Sequence, residues 1–280
     1  MSRIWDQTCR LRCTKTTLSC GQPKGGTCMT LANAHALVTG GGTGIGLAIA
    51  KDLAAAGAQV TITGRRQEVL DAVAAQTPGL HGMAMDVRAQ ADVIATTERA
   101  VAARGPIQIC IANAGIAEGR ALHKTDLDFW RNMMATNLDG TFLTIREALK
   151  TMRGAPWGRV IAVSSIAGLR GLQGASCYTA SKHGMIGLIR GLSEDYLGKP
   201  ITFNALCPAY VDTEIITRNT DSIAARAGVS TQEARDIMVS ANRHNRLIAP
   251  EEVSAAAMWL VSEAAASVNG QAIEIAGGQM

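Results

Sequence analysis

The chain has 280 residues, 47% of them hydrophobic and 18% charged, which supplies a core for one large domain and excludes a disordered chain, a low-complexity fibre or a disulfide-stapled miniprotein. The net charge of +4 resides entirely in the first 33 residues, where Arg3, Arg10, Arg12, Lys15 and Lys24 face Asp6 alone, so 34–280 is neutral and offers no electrostatic footprint for nucleic acid. Every apolar run falls short of the ~18 residues of a membrane-spanning helix, and no membrane partner is expected.

Residues 1–28 show no hydrophobic periodicity and no apolar stretch of secretory-signal length. Cys9, Cys13, Cys20 and Cys28 are separated by three, six and seven residues, which is not the paired spacing of a zinc site, and no metal is expected. We read 1–33 as an amino-terminal extension without a fold of its own and 34–280 as a single domain. Only Cys110, Cys177 and Cys207 are scattered through that domain, the usage of a reduced, cytoplasmic protein.

From residue 34 short β-branched or apolar runs alternate with Ala-rich segments of helical period. That is the pattern of an α/β fold with a doubly wound parallel sheet and helices on both faces. Strands are predicted near 35–39, 59–63, 81–86, 107–112, 158–164, 202–207 and 271–275, seven in one sheet. Helices are predicted near 44–57, 66–76, 89–104, 126–153, 176–197 and 250–263. Residues 213–249 break the rhythm with a charged, helix-prone insertion beyond a strand's carboxyl end, where a substrate lid is expected.

The first predicted strand runs into Thr39-Gly40-Gly41-Gly42-Thr43-Gly44-Ile45-Gly46 and then into a helix. Backbone N–H groups and the positive helix end suit a pyrophosphate there, and glycine lets it approach, so Gly40, Thr43, Gly44, Ile45 and Gly46 are candidate cofactor contacts. The second strand ends at Gly64, where dinucleotide enzymes usually carry an acid for the adenosine ribose, and Arg65 and Arg66 follow. Guanidinium groups suit a 2′-phosphate, which favours NADP(H) over NAD(H) while leaving NAD(H) open.

Tyr178 and Lys182 stand at i and i+4 on one face of a predicted helix, where the ammonium is expected to lower the phenol's pKa and make it a usable acid or base. Thirteen residues upstream, Ser165 follows a strand at the carboxyl edge of the sheet, where such sheets bind ligands.

These motifs together resemble the short-chain dehydrogenase/reductase family over 34–280. Thr39, Gly40, Gly44 and Gly46 resemble its glycine loop, Asp86-Val87 its adenine-contact site, Asn113-Ala114-Gly115 its stretch beside the fourth strand, and Asn137, Ser165, Tyr178 and Lys182 its catalytic tetrad. Pro208-Ala209-Tyr210-Val211-Asp212-Thr213 resembles the segment beside the nicotinamide, with Ala209 where glycine is usual; Pro208, Val211 and Thr213 are the cofactor contacts this implies. The resemblance implies a Rossmann-type NAD(P) fold and hydride transfer between nicotinamide and a ketone or secondary alcohol. In the implied roles Tyr178 exchanges the proton, Ser165 holds and polarises the substrate oxygen, Lys182 holds the nicotinamide ribose and tunes the phenol, and Asn137 anchors a water.

The substrate is less legible. Gln173, Cys177 and Tyr210, with the lid, are expected to line its pocket, and Arg243-His244-Asn245-Arg246 is a basic cluster suited to a carboxylate or phosphate. The lid resembles those of enzymes acting on 3-oxoacyl thioesters or 3-hydroxybutyrate; the first reading is a 3-oxoacyl or related ketone reductase, the second a hydroxy-acid dehydrogenase using NAD. A non-catalytic NADP-binding sensor or scaffold is the remote third. The resemblance implies a homotetramer packed through 126–153 and 176–197, with Trp130, Trp157 and Trp259 as core or interface anchors.

Overall fold

Runs such as Ala36-Leu37-Val38 have no polar face, and they become strands covered on both sides because only helices packed above and below remove all of their apolar surface from water. The computed structural model describes residues 31–278 except 215, 217–219, 221–223 and 225–227. The four amino-terminal cysteines, and Arg218, Asp221 and Arg226 of the expected lid, lie outside the described residues.

The strands are β1 (His35–Thr39), β2 (Gln59–Gly64), β3 (Leu80–Ala84), β4 (Ile107–Ala112), β5 (Gly158–Val163), β6 (Ile201–Pro208) and β7 (Ala272–Ile275). They form one parallel sheet in the order β3-β2-β1-β4-β5-β6-β7. The helices that serve the argument are α1 (Gly44–Ala55), α2 (Gln67–Gln76), α3 (Gln90–Arg104), α4 (Leu127–Met134), α5 (Gly140–Met152), α6 (Ser176–Asp195), α7 (Thr231–Ala241) and α8 (Pro250–Val261). Alternate strand side chains feed opposite cores. Val38, Ile62, Ile111 and Ile161 pack toward α1, α2 and α8, while Leu37, Cys110, Val160 and Phe203 pack toward α5 and α6.

The predicted continuous helix over 126–153 is instead α4 and α5 joined by a π-helical turn, Ala135–Asp139. A wide turn costs helix hydrogen bonds, and here side chains make good the loss: Thr141 Oγ1 donates to the Asn137 carbonyl at 2.7 Å and Thr144 Oγ1 to that of Gly140 at 2.7 Å. β3 stops before the predicted end, because its partner β2 ends at Gly64, and this leaves Asp86 beyond the ladder. At the amino-terminal side the folded body begins earlier than residue 34: Leu31 is buried in the core, behind a turn with Asn33 at φ +65°. Trp130 and Trp259 lie exposed on the surface and are not core residues, since their helices turn those positions outward.

At the amino-terminal edge of the sheet, His35 is 1% exposed and its ring Nδ1 lies 2.7 Å from the Gly105 carbonyl, a partner that accepts only. Nδ1 therefore carries the proton, and Nε2 accepts from the Thr61 hydroxyl at 2.8 Å, whose oxygen in turn accepts from Arg104 Nε at 2.9 Å. A second ring proton would cost Nε2 the bond it accepts from the Thr61 hydroxyl and would set a positive ring near Arg104, and burial above all pushes the His35 pKa down to about 4. As pH falls from 6.5 toward 4 the unfolded chain takes up a proton that the folded chain refuses, so about 3 kcal/mol of stability, intact above pH 6.5, is lost across that window. Denaturant midpoints measured between about pH 7 and about pH 4.5 will show this loss, and His35→Gln will remove most of it. An unchanged pH slope in the variant rejects the assignment.

Candidate active site

β1 and β4 are neighbours whose connections leave in opposite directions, and the crevice that such a switch point opens at the carboxyl ends of the strands is here a groove of about 850 Å³. Gly40, Thr43, Gly44 and Ile45 form one wall, Arg65 and Arg66 with Asp86 and Val87 close one end, and Asn113, Ala114, Gly115 and Thr213 line the other side. Gly40 and Gly44 have φ of +64° and +53°, in the left-handed region that glycine tolerates. Asn113 staples the loop to β4: its Nδ2 donates to the Thr39 carbonyl at 2.9 Å, while Thr39 Oγ1 accepts from the backbone N–H groups of Asn113 and Ala114, each at 3.0 Å.

Gly46, expected as a cofactor contact, lines neither this groove nor the cavity beside it. A Cβ there would strike the Gly40 carbonyl oxygen and the Asn113 amide, so its smallness serves the close packing of loop on helix.

A second cavity of about 250 Å³ shares Ile45, Asn113, Gly115 to Glu118 and Thr213 with the groove and so communicates with it. Ser165, Tyr178, Lys182, Pro208 and Val211 line it, with Gln173 and Tyr210 as expected for a pocket wall. Cys177 does not: it is buried behind the helix face that carries Tyr178. Ala209 keeps an ordinary negative φ and donates its N–H to the Ile275 carbonyl at 2.9 Å, so no glycine is needed at that position. The basic cluster turns elsewhere: Arg246 forks onto Glu252 at 2.6 and 2.8 Å, and the His244 ring packs against Gly277. Burial pushes the thiols of Cys110 and Cys207 up to about 12 and about 11, which leaves them protonated and weakly nucleophilic.

The four chemistry-bearing residues come together from separate elements. Ser165 caps the short turn Ile166–Gly168, its Oγ accepting from the Ala167 N–H at 3.1 Å, and it lines the same cavity as the Tyr178 phenol, whose pKa it pulls downward. Lys182 is buried one turn along α6, its Nζ 5.7 Å from the Tyr178 ring centroid and donating to the Val163 carbonyl at 2.9 Å. Asn137 is fully buried in the π turn, where its Oδ1 accepts from the Ile116 N–H at 2.8 Å and its Nδ2 donates to the Ile116 carbonyl at 3.0 Å. The side-chain amide is thus committed to the loop after β4.

The expected lowering of the phenol's pKa by the ammonium is not what this pocket produces. Burial pushes Tyr178 above its ordinary value, against the downward pull of the Ser165 hydroxyl, and the same burial pushes Lys182 down to about 8. Desolvation disfavours both charged forms and outweighs an ammonium that is spent on a backbone carbonyl.

Two residues that the sequence reading passed over complete the arrangement. Ser181 Oγ donates to the Tyr178 carbonyl at 2.7 Å and accepts from Asn137 Nδ2 at 3.0 Å, tying the π turn to α6. Asn242, fully buried after α7, holds the Tyr210 backbone from both sides, accepting from its N–H at 3.1 Å and donating to its carbonyl at 2.9 Å. Ser181 stands directly before Lys182 and was legible as a small polar residue on the buried side of that helix; nothing local marks Asn242.

The family model for short chain dehydrogenases matches residues 34–224. The chain belongs to that family. Its relatives include a putative ketoacyl reductase of the granaticin polyketide synthase of Streptomyces violaceoruber, 35% identical over 255 residues (89% of this chain, 94% of the relative), and a D-beta-hydroxybutyrate dehydrogenase of Cupriavidus necator, 33% identical over 250 residues (87% and 96%). Among solved structures, an actinorhodin polyketide ketoreductase variant crystallised with NADPH superimposes with a TM-score of 0.84 at 31% identity, covering 88% of this chain and 96% of that one. Levodione reductase gives 0.83 at 29%, covering 89% and 98%.

This short-chain dehydrogenase is therefore an oxidoreductase acting on hydroxyl or keto groups with NAD(P). The groove fits such a coenzyme. Its volume suits a dinucleotide, side chains on Gly40 or Gly44 would strain the loop, and a Cβ on Gly115 would press on Asn137 Oδ1 at 3.2 Å.

Proposed function

We propose that this short-chain dehydrogenase is an NADP(H)-dependent reductase of 3-oxoacyl thioesters or related ketones, working through Ser165, Tyr178, Lys182 and Asn137. The observation that carries the reading is that Ser165, Tyr178 and Lys182 line one small cavity that opens onto the glycine-lined groove. When bound, a nicotinamide coenzyme would supply or accept the hydride. The chain supplies the proton and the shape: Ser165 holds and polarises the substrate oxygen, and Tyr178, kept protonated by burial, delivers its phenolic proton to that oxygen. Lys182 would hold the ribose of the coenzyme and positions the phenol. Asn137 acts by holding Ile116, Ser181 and hence the Tyr178 turn in register.

The cavity wall favours a ketone or thioester over a free acid. Ile116, Leu172, Ile216 and Met238 make it apolar, and Lys182 is the one cation lining it among the described residues, whereas the carboxylate of Glu118 lies at the junction with the groove. The hydroxy-acid reading keeps the support of the hydroxybutyrate dehydrogenase relative. A screen of NADPH oxidation over 3-oxoacyl thioesters, β-keto acids, cyclic ketones and sugars separates the two. Turnover of thioesters and cyclic ketones well above free acids supports the first, a preference for free acids overturns it, and coenzyme binding with no turnover of any class points to a sensor.

NADP(H) is preferred in this reading because Arg65 and Arg66 are exposed at the end of β2, and neither forms a salt bridge with a described residue. Arg65→Asp places a carboxylate where a 2′-phosphate would sit, and the ratio of NADPH to NADH efficiency is expected to fall by about 10²-fold or more. An unchanged ratio discards the assignment.

We further propose one catalytic unit over 34–280, with Ile216 and Met238 as the lid's contribution to the pocket, in a cytoplasmic homotetramer. Exposed Leu127, Trp130 and Phe142 on α4 and α5, and the buried, free Cys110, Cys177 and Cys207 among the described residues, support these readings. Light scattering that reports a monomer removes the tetramer.

A further inference from the structure

Arg65 follows β2 directly and Asp86 stands two residues beyond β3. The Met85 N–H donates to the Gly64 carbonyl at 2.8 Å, so the two side chains leave adjacent strand ends on one wall of the large groove. A bare carboxylate at that place opposes phosphate binding twice over: it repels the phosphate and it competes for the guanidinium that should hold it. The chain carries a counter-charge. Arg88 forks onto Asp86, with Nε to Oδ1 at 3.0 Å and to Oδ2 at 3.1 Å, and Nη2 to Oδ2 at 2.6 Å, while the Arg88 backbone N–H adds a bond to Oδ1 at 3.0 Å. Its remaining arm, Nη1, donates to Asn132 Oδ1 on α4 at 3.1 Å and so spans the end of the groove. Both Asp86 oxygens are engaged by Arg88, and Arg88 holds the carboxyl below the usual carboxylate range, so Asp86 is neutralised by a cation and not by a proton.

We propose that Arg88 is a coenzyme-selectivity residue: by neutralising Asp86 and tying it to α4 through Asn132, it leaves Arg65 to the 2′-phosphate of NADP(H). The proposal rests on the NADP(H) reading above and adds to it a residue outside the glycine loop and outside the arginine pair. Its signature is a selective loss, because a mere prop for the adenine end would affect both coenzymes alike.

The test is equilibrium binding of NADPH and NADH, by calorimetry, to the full chain and to Arg88→Gln, Asp86→Asn with Arg88→Gln, and Arg65→Ala. Thermal unfolding of each variant checks the fold. Arg88→Gln is expected to weaken NADPH by about 10-fold or more and NADH by no more than about 3-fold, since the uncovered charge acts on the extra phosphate. The double variant has no uncovered carboxylate and is expected to return the NADPH to NADH ratio to within about 3-fold of the starting protein. Equal weakening of both coenzymes, no weakening, or a double variant as unselective as the single one overturns the role of Arg88. If Arg65→Ala collapses the ratio in that case, the NADP(H) reading stands without it; if Arg65→Ala leaves the ratio unchanged, that reading fails and the proposal with it.

Discussion

Tyr178→Phe will lower turnover by about 10²–10⁴-fold while NADPH binding, read by calorimetry, stays within about 2-fold of the starting protein. The phenol is the group in the cavity placed to give a proton to a carbonyl oxygen held by Ser165, and phenylalanine keeps the ring that packs beside Lys182 while removing that proton. Burial fixes the direction of the accompanying pH dependence. Because the Tyr178 pKa lies above its ordinary value of 10.0, the acid form dominates at neutral pH, which is the form that reduction consumes. Ketone reduction is therefore expected to stay flat from about pH 6 to about pH 8, while alcohol oxidation, which needs the phenolate, climbs with pH through that range. Initial rates in both directions measure this. A Tyr178→Phe enzyme with turnover near normal, or an oxidation rate that falls as pH rises, ends the proposed role of the phenol.

Lys182→Met will have opposite effects on activity and on stability. Lys182 is 4% exposed and its Nζ has the Val163 carbonyl for a hydrogen-bond partner, so in the coenzyme-free protein its charge is desolvated with little return and its pKa is pushed down to about 8. Below pH 8 the folded and unfolded chains both carry the proton, and the folded state bears a cost of about 3 kcal/mol. Between pH 8 and 10.5 the folded chain has released the proton that the unfolded chain retains, and stability rises with pH across that window. Methionine fills the space without the charge. After allowance for the unpaired Val163 carbonyl, the coenzyme-free variant is expected to melt about 4–8 °C higher at neutral pH, with the gain shrinking as the buffer approaches about pH 10. Its kcat/KM is expected to fall by about 10²-fold or more, since the substitution removes the group that holds the ribose and orients the phenol. A lower melting temperature at neutral pH would show that the buried ammonium is better satisfied than its single carbonyl contact indicates.

The layer order of this molecule was legible because strands covered on both faces must be apolar throughout and helices on a sheet must be apolar on one side, so the alternation of two periods along 34–280 reads directly as a doubly wound sheet. The glycine loop was legible for a similar reason: Gly40 and Gly44 adopt a conformation that few other residues accept. Tyr178 and Lys182 were legible because four residues of helix bring side chains together whatever surrounds them. The π turn at Ala135–Asp139 was not, since its compensation comes from hydroxyls inside the same helix that also suit an ordinary α-helix. The partner of Arg243–Arg246 was not legible because a run of basic residues says nothing about where Glu252 will stand, and Cys177 misled because one position along a helix separates the cavity face from the core.

What the amino-acid order determined by itself was therefore everything set by neighbours a few residues apart: the elements, their order, the left-handed glycines, and the phenol and ammonium on one helix face. The tertiary structure decided the electrostatics. Whether Lys182 lowers the phenol's pKa, whether Asp86 stands bare or is covered by Arg88, and whether a basic cluster meets a ligand or a glutamate depend on burial and on partners from distant segments. Desolvation and charge pairing are properties of the packed space around a group, and a linear pattern specifies that space only after the chain has folded.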